Sequence, residues 1–324
     1  MKALATAIAL MAAFTASNAG AATWEPGGGR TQVPLWPGEP PHANAVPAGE
    51  YVKTGPGRIA GKPVTWVSNV SRPTITVYAP TGTNTGAAVL VVPGGGFEGL
   101  AMDLEGAEVC EWLAPKGVTC VLLKYRVPSP PYDWHCDCRP HNLALSMPSL
   151  ADTQRALRLI RARAAGWHVD PHRVGVLGFS AGGFIVAEAS TVFDRRIYPP
   201  GDAVDKESAR PDFALAIYPG HLATHDSKPN PNLPVSKDTP PTFVLQAEDD
   251  EVDGVNQALV YFAALKKAGV PAEMHLYAHG GHAFGLRPTA EPITRWPALA
   301  EAWLVTIGVI RAQAQASKIT TPPT

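Results

Sequence analysis

From residue 74 onward, hydrophobic and polar positions fall into two alternating patterns that lay out the chain. Thr74-Ile75-Thr76-Val77-Tyr78 has the two-residue period of a half-buried strand, and Ala87-Ala88-Val89-Leu90-Val91-Val92 is the unbroken apolar run of a strand covered on both faces. A helix is predicted over 106–116, with Ala107, Cys110, Leu113 and Ala114 at helical spacing and Gly117 closing it. The strand at 118–125 comes next. A second helix opens at 149–152, with Leu150, Ala156, Leu157, Ile160 and Ala164 on one face and Arg155, Arg158 and Arg161 expected to lean outward. Strands at 173–179, 212–218, 242–246 and 272–277 then alternate with helices at 181–189 and about 254–268, the latter using Val255, Leu259, Phe262 and Leu265. A final helix carries Trp296, Leu299, Trp303, Ile307 and Ile310 on one stripe.

Such alternation implies an α/β fold with a mostly parallel central sheet and helices on both faces. No linker interrupts it, so residues 70–313 are expected to form one domain, with 314–324 as a frayed tail. Residues 23–69 precede it. They are rich in Pro and Gly, but Trp24, Trp36 and Tyr51 argue for an extended strap over the domain rather than a disordered lead-in. At the start, Lys2, the apolar run from Ala3 to Phe14 and the small residues up to Ala22 have the three regions of a secretory signal, so 1–22 is expected to be cleaved from an exported protein. That run is too short to span a bilayer.

Without Lys2 the chain has 26 basic and 28 acidic residues, a formal charge of −2, and no basic cluster long enough to follow a phosphate backbone. Nucleic acid is not an expected partner, and neither is a membrane, since no other apolar run approaches spanning length. Four cysteines, at 110, 120, 136 and 138, allow three full pairings in an oxidising compartment.

The candidate chemistry gathers at the carboxyl ends of the strands, where ligands sit in such sheets. Gly178-Phe179-Ser180-Ala181-Gly182 stands between a buried strand and a helix of small residues, the setting of a nucleophile elbow. A serine hydroxyl needs a base to take its proton and an acid to orient that base. His282 is the expected base: it follows the last strand and two glycines, whereas His275 lies within that strand, His279 is early, and His221 and His225 sit in a separate loop. The acid is expected from the cluster Glu248-Asp249-Asp250-Glu251 after the penultimate strand, with Asp250 preferred, Asp249 the alternative, and Asp253 read as a helix cap. For a tetrahedral oxyanion, the N–H of Ala181 and one from Gly95 or Gly96 in the turn Pro93-Gly94-Gly95-Gly96-Phe97 are the expected donors. That turn lacks both G-x-G-x-x-G spacing and a following Lys-Ser/Thr, which excludes a phosphate loop.

Taken together, Pro93-Gly94-Gly95-Gly96-Phe97, Glu105-Gly106, Leu123-Lys124-Tyr125-Arg126-Val127-Pro128, Asp152-x-Gln154-Arg155-Ala156-Leu157-Arg158, Gly178-Phe179-Ser180-Ala181-Gly182-Gly183 and Gly280-Gly281-His282-x-Phe284-Gly285 resemble the α/β-hydrolase fold family, and within it the exported xylan-esterase-like carbohydrate esterases. The resemblance covers residues 70–287. It implies removal of acetyl, less often feruloyl, groups from plant cell-wall polysaccharide, with an acylated carbohydrate as substrate and no metal or organic cofactor. Pro93 replaces the His found before the glycine turn in related lipases, and Phe184 stands where many relatives have His after Gly183.

Specificity is expected in the excursion over 127–148, where Tyr132, Trp134 and His135 offer a wall for stacking sugars, and in Phe97 beside the turn. His135-Cys136-Asp137-Cys138-Arg139-Pro140-His141 has zinc-type ligands, but C-x-C is not zinc spacing. A disulfide from this loop to Cys110 or Cys120 is expected instead. Two other functions share these features: an oligopeptidase-type serine peptidase, disfavoured because only about 50 residues precede the first clear strand, and a non-catalytic carbohydrate-binding protein on a hydrolase scaffold.

Overall fold

The structure, a computed structural model, describes residues 23–42, 49–129 and 143–311. Its N-terminal part contains β1 (Gln32–Pro34) and the hairpin β2 (Tyr51–Ile59) and β3 (Lys62–Ser68). Then come β4 (Thr74–Tyr78), β5 (Ala88–Val92), β6 (Gly99–Ala101), α1 (Glu108–Leu113), β7 (Thr119–Lys124), α2 (Met147–Ala162), β8 (Val174–Phe179) and α3 (Ala181–Thr191). The chain continues with β9 (Ala214–Ile217), β10 (Thr242–Ala247), α4 (Asn256–Lys267), β11 (Ala272–Tyr277) and α5 (Trp296–Thr306). Eight strands form one sheet in the order β1-β4-β7-β5-β8-β9-β10-β11. Within this sheet, among the described residues, only the β1/β4 and β4/β7 pairings are antiparallel. Helices cover both faces, as the alternation requires.

The central strands β5, β7, β8 and β10 are buried along their whole length, which is why they read as unbroken apolar runs. The helix expected over 106–116 is divided. A wide turn at Asp103–Ala107 leads into α1, and a tight turn at Ala114–Lys116 follows where Pro115 prevents the α-helix from continuing. Trp112 of α1 meets Trp296 of α5 edge to face, with ring centres 5.7 Å apart.

The described residues of the strap are more regular than their Pro and Gly content suggests. Its β2 and β3 pair antiparallel around Ala60 and Gly61, both at positive φ, and β6 joins them in a second, three-stranded sheet. Trp36 donates its indole N–H to Asp152 of α2 at 2.8 Å. Asp152 is itself locked to Arg126 through bonds of 2.9 Å, and both side chains are buried.

Two expectations are corrected. Arg155, Arg158 and Arg161 do not lean outward: Arg155 reaches Asp202 and Asp205, Arg158 bonds the Tyr198 hydroxyl, and Arg161 bonds Asp212. The segment over 192–212 folds across α2 and supplies partners, Tyr198 and Asp205 buried among them, that the helical pattern does not reveal. The cysteines pair within the domain, Cys110 of α1 with Cys120 of β7, because that helix packs on that strand with Cα atoms 5.2 Å apart. Cys136 and Cys138 lie outside the described residues, as do residues 1–22 and the tail over 314–324.

Candidate active site

Ser180 sits between β8 and α3 at φ 52° and ψ −120°, a conformation that L residues rarely adopt. The glycines around it are required by space. A Cβ on Gly182 would lie 2.1 Å from the Val92 carbonyl oxygen, and one on Gly178 would lie 2.3 Å from the Gly182 carbonyl oxygen. This tight crossing lifts the serine hydroxyl out of the sheet at the amino end of α3.

Ser180 Oγ is 2.8 Å from Nε2 of His282, whose Nδ1 is 2.7 Å from Oδ2 of Asp250. The three residues follow the carboxyl ends of β8, β11 and β10. Asp250 is fixed from four directions: besides the imidazole it accepts the backbone N–H groups of Val252 and Asp253 and the Gln246 side-chain amide. Asp249 turns elsewhere, accepting the Gly281 N–H at 2.8 Å and meeting His279 at 3.3 Å in an exposed position. Such a chain lets a serine pass its proton to the ring as it attacks, with the carboxylate holding the tautomer.

Asp253 is no helix cap. The first turn of α4 starts at Asn256, and Asp253 is buried with its Oδ2 3.9 Å from His282 Nε2. Burial opposes a charged imidazole, but the Asp250 hydrogen bond and the carboxylates of Asp253, Asp250 and Glu105 outweigh it and raise His282 above the ordinary value of 6.5.

Ser180 and His282 open onto a cavity of about 460 Å³. Gly95 and Gly96 line it, and Ala181 begins α3 beside it, so the amino end of an 11-residue helix faces the cavity. Its walls include Ile59, Val64 and Trp66 of the hairpin together with Ala101, Leu104 and Val252, and the exposed Glu98 also lines it. Among the described residues no Lys or Arg lines it. The hairpin wall was not anticipated, although the Ala60-Gly61 turn between Ile59 and Val64-Thr65-Trp66 was a local signal for it.

Phe97 is not where a substrate contact was expected. It is buried under the glycine turn, edge to face with Phe184 at 6.5 Å, because its positive φ turns the side chain into the core. Phe184 thus fills the space behind the elbow with apolar contact. Tyr132, Trp134 and His135 lie outside the described residues.

The sequence assigns no site role to Tyr218, and Glu105 enters it only as part of a family motif. Glu105 is buried at the floor of the cavity, where Oε2 accepts the Gly94 N–H at 2.7 Å and Oε1 accepts the Tyr218 hydroxyl at 2.8 Å. The Tyr218 oxygen in turn accepts the Gly285 N–H at 3.1 Å, and the tyrosine ring lies 4.9 Å from that of His282. Burial raises the Glu105 carboxyl, against the pull of Tyr218, His282 and Gly94. Burial and Glu105 together hold Tyr218 in its protonated form.

Comparison with known proteins adds a frame. Residues 221–307 match the model of the prolyl oligopeptidase family. An acetylxylan esterase of Xylanibacter ruminicola is 28% identical over 224 residues, which cover 62% of this chain and 41% of that protein. An endo-1,4-beta-xylanase B of Butyrivibrio fibrisolvens is 26% identical over 223 residues, 60% of this chain and 32% of that protein. The chain therefore spans less than half the length of these curated relatives. Among solved structures, an acetyl ester-xyloside bifunctional hydrolase from Caldicellulosiruptor lactoaceticus is 31% identical with a TM-score of 0.64, covering 86% of this chain and 97% of that one.

Proposed function

Because the chain belongs to the α/β-hydrolase fold family, among its xylan-esterase-like carbohydrate esterases, we propose that it is an exported serine esterase. It removes acyl groups, acetyl foremost, from plant cell-wall polysaccharide or oligosaccharide such as acetylated xylan. The observation that carries this reading is the Ser180–His282–Asp250 chain opening on an apolar cavity with glycine backbone beside it. Names of the similar proteins support the substrate class, since they are an acetylxylan esterase and an acetyl ester-xyloside hydrolase.

In this reading Ser180 Oγ attacks the ester carbonyl carbon while His282 Nε2 takes its proton and Asp250 steadies the imidazolium. The oxyanion lies against the N–H of Ala181 and of Gly95 or Gly96. Collapse expels the sugar hydroxyl, which receives the proton from His282, and leaves an acetyl-serine. Water then attacks that ester with His282 again as base, and acetate leaves. Apolar walls around the acyl position favour a short uncharged acyl group.

Export is supported by the leader-like sequence over 1–22 and by the Cys110–Cys120 disulfide, since such bonds persist in oxidising compartments. The location this reading proposes is periplasmic or extracellular. The amino terminus of the mature protein, sequenced from a secreting host, tests it: a start near residues 19–22 is expected, and an intact Met1 would overturn it.

Ser180→Ala is expected to lower kcat on p-nitrophenyl acetate and on acetylated xylan by roughly 10⁶-fold. Activity at the native level would overturn the assignment. One observation favours a peptidase instead, the match of residues 221–307 to the prolyl oligopeptidase family. Cleavage of peptide p-nitroanilides without acetate release from xylan would decide for it.

A further inference from the structure

Glu105 occupies a position that the hydrolytic scheme leaves without a task. It is a carboxylate buried on the cavity floor, reached only after β6, and it touches neither Ser180 nor Asp250 by hydrogen bond. Its two oxygens nevertheless join the two halves of the site. Oε2 holds the N–H of Gly94, the residue next to Gly95 and Gly96, and Oε1 holds the Tyr218 hydroxyl, which in turn holds the Gly285 N–H in the loop carrying His282. The fit allows no slack, because a Cβ on Gly94 would lie 2.6 Å from Glu105 Oε2.

We propose that Glu105 is a positioning residue, a buried carboxylate that sets the glycine turn against the His282 loop and stabilises the imidazolium formed as Ser180 attacks. The proposal rests on the serine hydrolase reading above and adds to it a second source of negative charge. As the proton moves from Ser180 Oγ to His282 Nε2, the ring becomes positive between the nascent oxyanion and a set of carboxylates. Asp250 and Asp253 face it from the β10 loop, and Glu105 lines the same cavity as the ring. Tyr218, just after β9, touches both, its hydroxyl donating to Glu105 and its ring lying 4.9 Å from that of His282, and it stays a neutral donor. Asp103 also bears on Glu105, but Arg287 holds Asp103 at 3.2 Å and Glu108 at 2.7 Å, so Arg287 offsets that neighbouring charge. Tyr125, beside Glu105, is protonated for the same reasons of burial, and its hydroxyl donates to the Pro93 carbonyl. Glu98 also lines the cavity but is exposed to solvent, and with no Lys or Arg lining it among the described residues, the imidazole is the cation the buried carboxylates serve.

The experiment is the pH dependence of kcat/KM on p-nitrophenyl acetate, whose acid limb reports the free enzyme's histidine. The native limb is expected above 6.5, the ordinary imidazole value. Glu105→Gln keeps the shape and removes the charge. Its limb is expected to move to lower pH by on the order of half a unit, with the plateau falling roughly 10- to 100-fold and KM little changed. Glu105→Asp is expected to bring the limb back towards the native value. Tyr218→Phe removes a hydrogen bond that lowers the Glu105 carboxyl against its burial, and is expected to shift the limb the same way by less. A role confined to packing would lower the plateau and leave every limb in place, and that result would overturn the proposal. Should Glu105→Gln fail to fold, the Tyr218→Phe limb decides alone: unmoved, it overturns the inference. Loss of activity in Ser180→Ala alongside an unmoved limb would leave the hydrolase reading standing and this one fallen.

Discussion

Around the first turns of α2, buried carboxylates meet buried guanidiniums; around His282, among the described residues, buried carboxylates converge on an imidazole. Asp152 takes a planar two-bond fork from Arg126, and Asp205 meets Arg155 at 3.0 Å. Asp250, Asp253 and Glu105 instead gather near one ring that is neutral until it takes a proton. Permanent pairs fix a position at all times. An excess of carboxylates beside a titratable ring stores attraction for a charge that exists only during a proton transfer, which is when a hydrolase needs it. One arrangement holds the fold and the other is suited to act.

Substitutions at matched carboxylates sharpen this contrast. Asp250→Asn keeps the shape but gives the histidine the wrong partner, so kcat on p-nitrophenyl acetate is expected to fall about 10⁴-fold with little change in the unfolding transition. Asp152→Ala has the reverse signature. It leaves Arg126 buried without its carboxylate and is expected to cost about 3–5 kcal/mol in urea unfolding, while kcat per folded molecule stays near native. A large loss of kcat with full stability in Asp152→Ala would erase the distinction. Asp249→Ala should do least, because its contacts to Gly281 and His279 are exposed. A change in kcat of no more than about threefold is expected there, and a loss as deep as that of Asp250→Asn would move the orienting role to the neighbour.

What could be read beforehand follows a physical rule. The elbow was legible because its requirements are local: Gly178 and Gly182 are dictated by neighbours within the same strand, turn and helix or the adjoining β5. Asp250 and His282 were legible from chain order, since parallel strands deliver successive loops to one edge of the sheet. Arg155, Arg158 and Arg161 misled because helical periodicity assigns charge to solvent, whereas their partners arrive some 40 to 50 residues later in the chain. Glu105 was invisible as a site residue for the same reason, with Gly94 11 residues before it and Tyr218 113 residues after it. Phe97 looked like a substrate contact by adjacency to the glycine turn, and only its backbone conformation sends it inward. The cysteine pair depended on α1 lying across β7, a packing relation that spacing alone does not specify.

The hairpin of β2 and β3 has one more consequence. Trp66 and Ile59 complete a cavity whose other parts are Ser180 and His282, themselves 102 residues apart in sequence. The pocket is thus a high-contact-order object: its first wall is synthesised well before its nucleophile, and its base comes near the end. Loop closure over such distances is slow relative to forming α2 or α3 locally. During refolding, helical signal should return before any hydrolytic turnover, and the appearance of turnover would mark the moment when the earliest and latest parts of the chain have met.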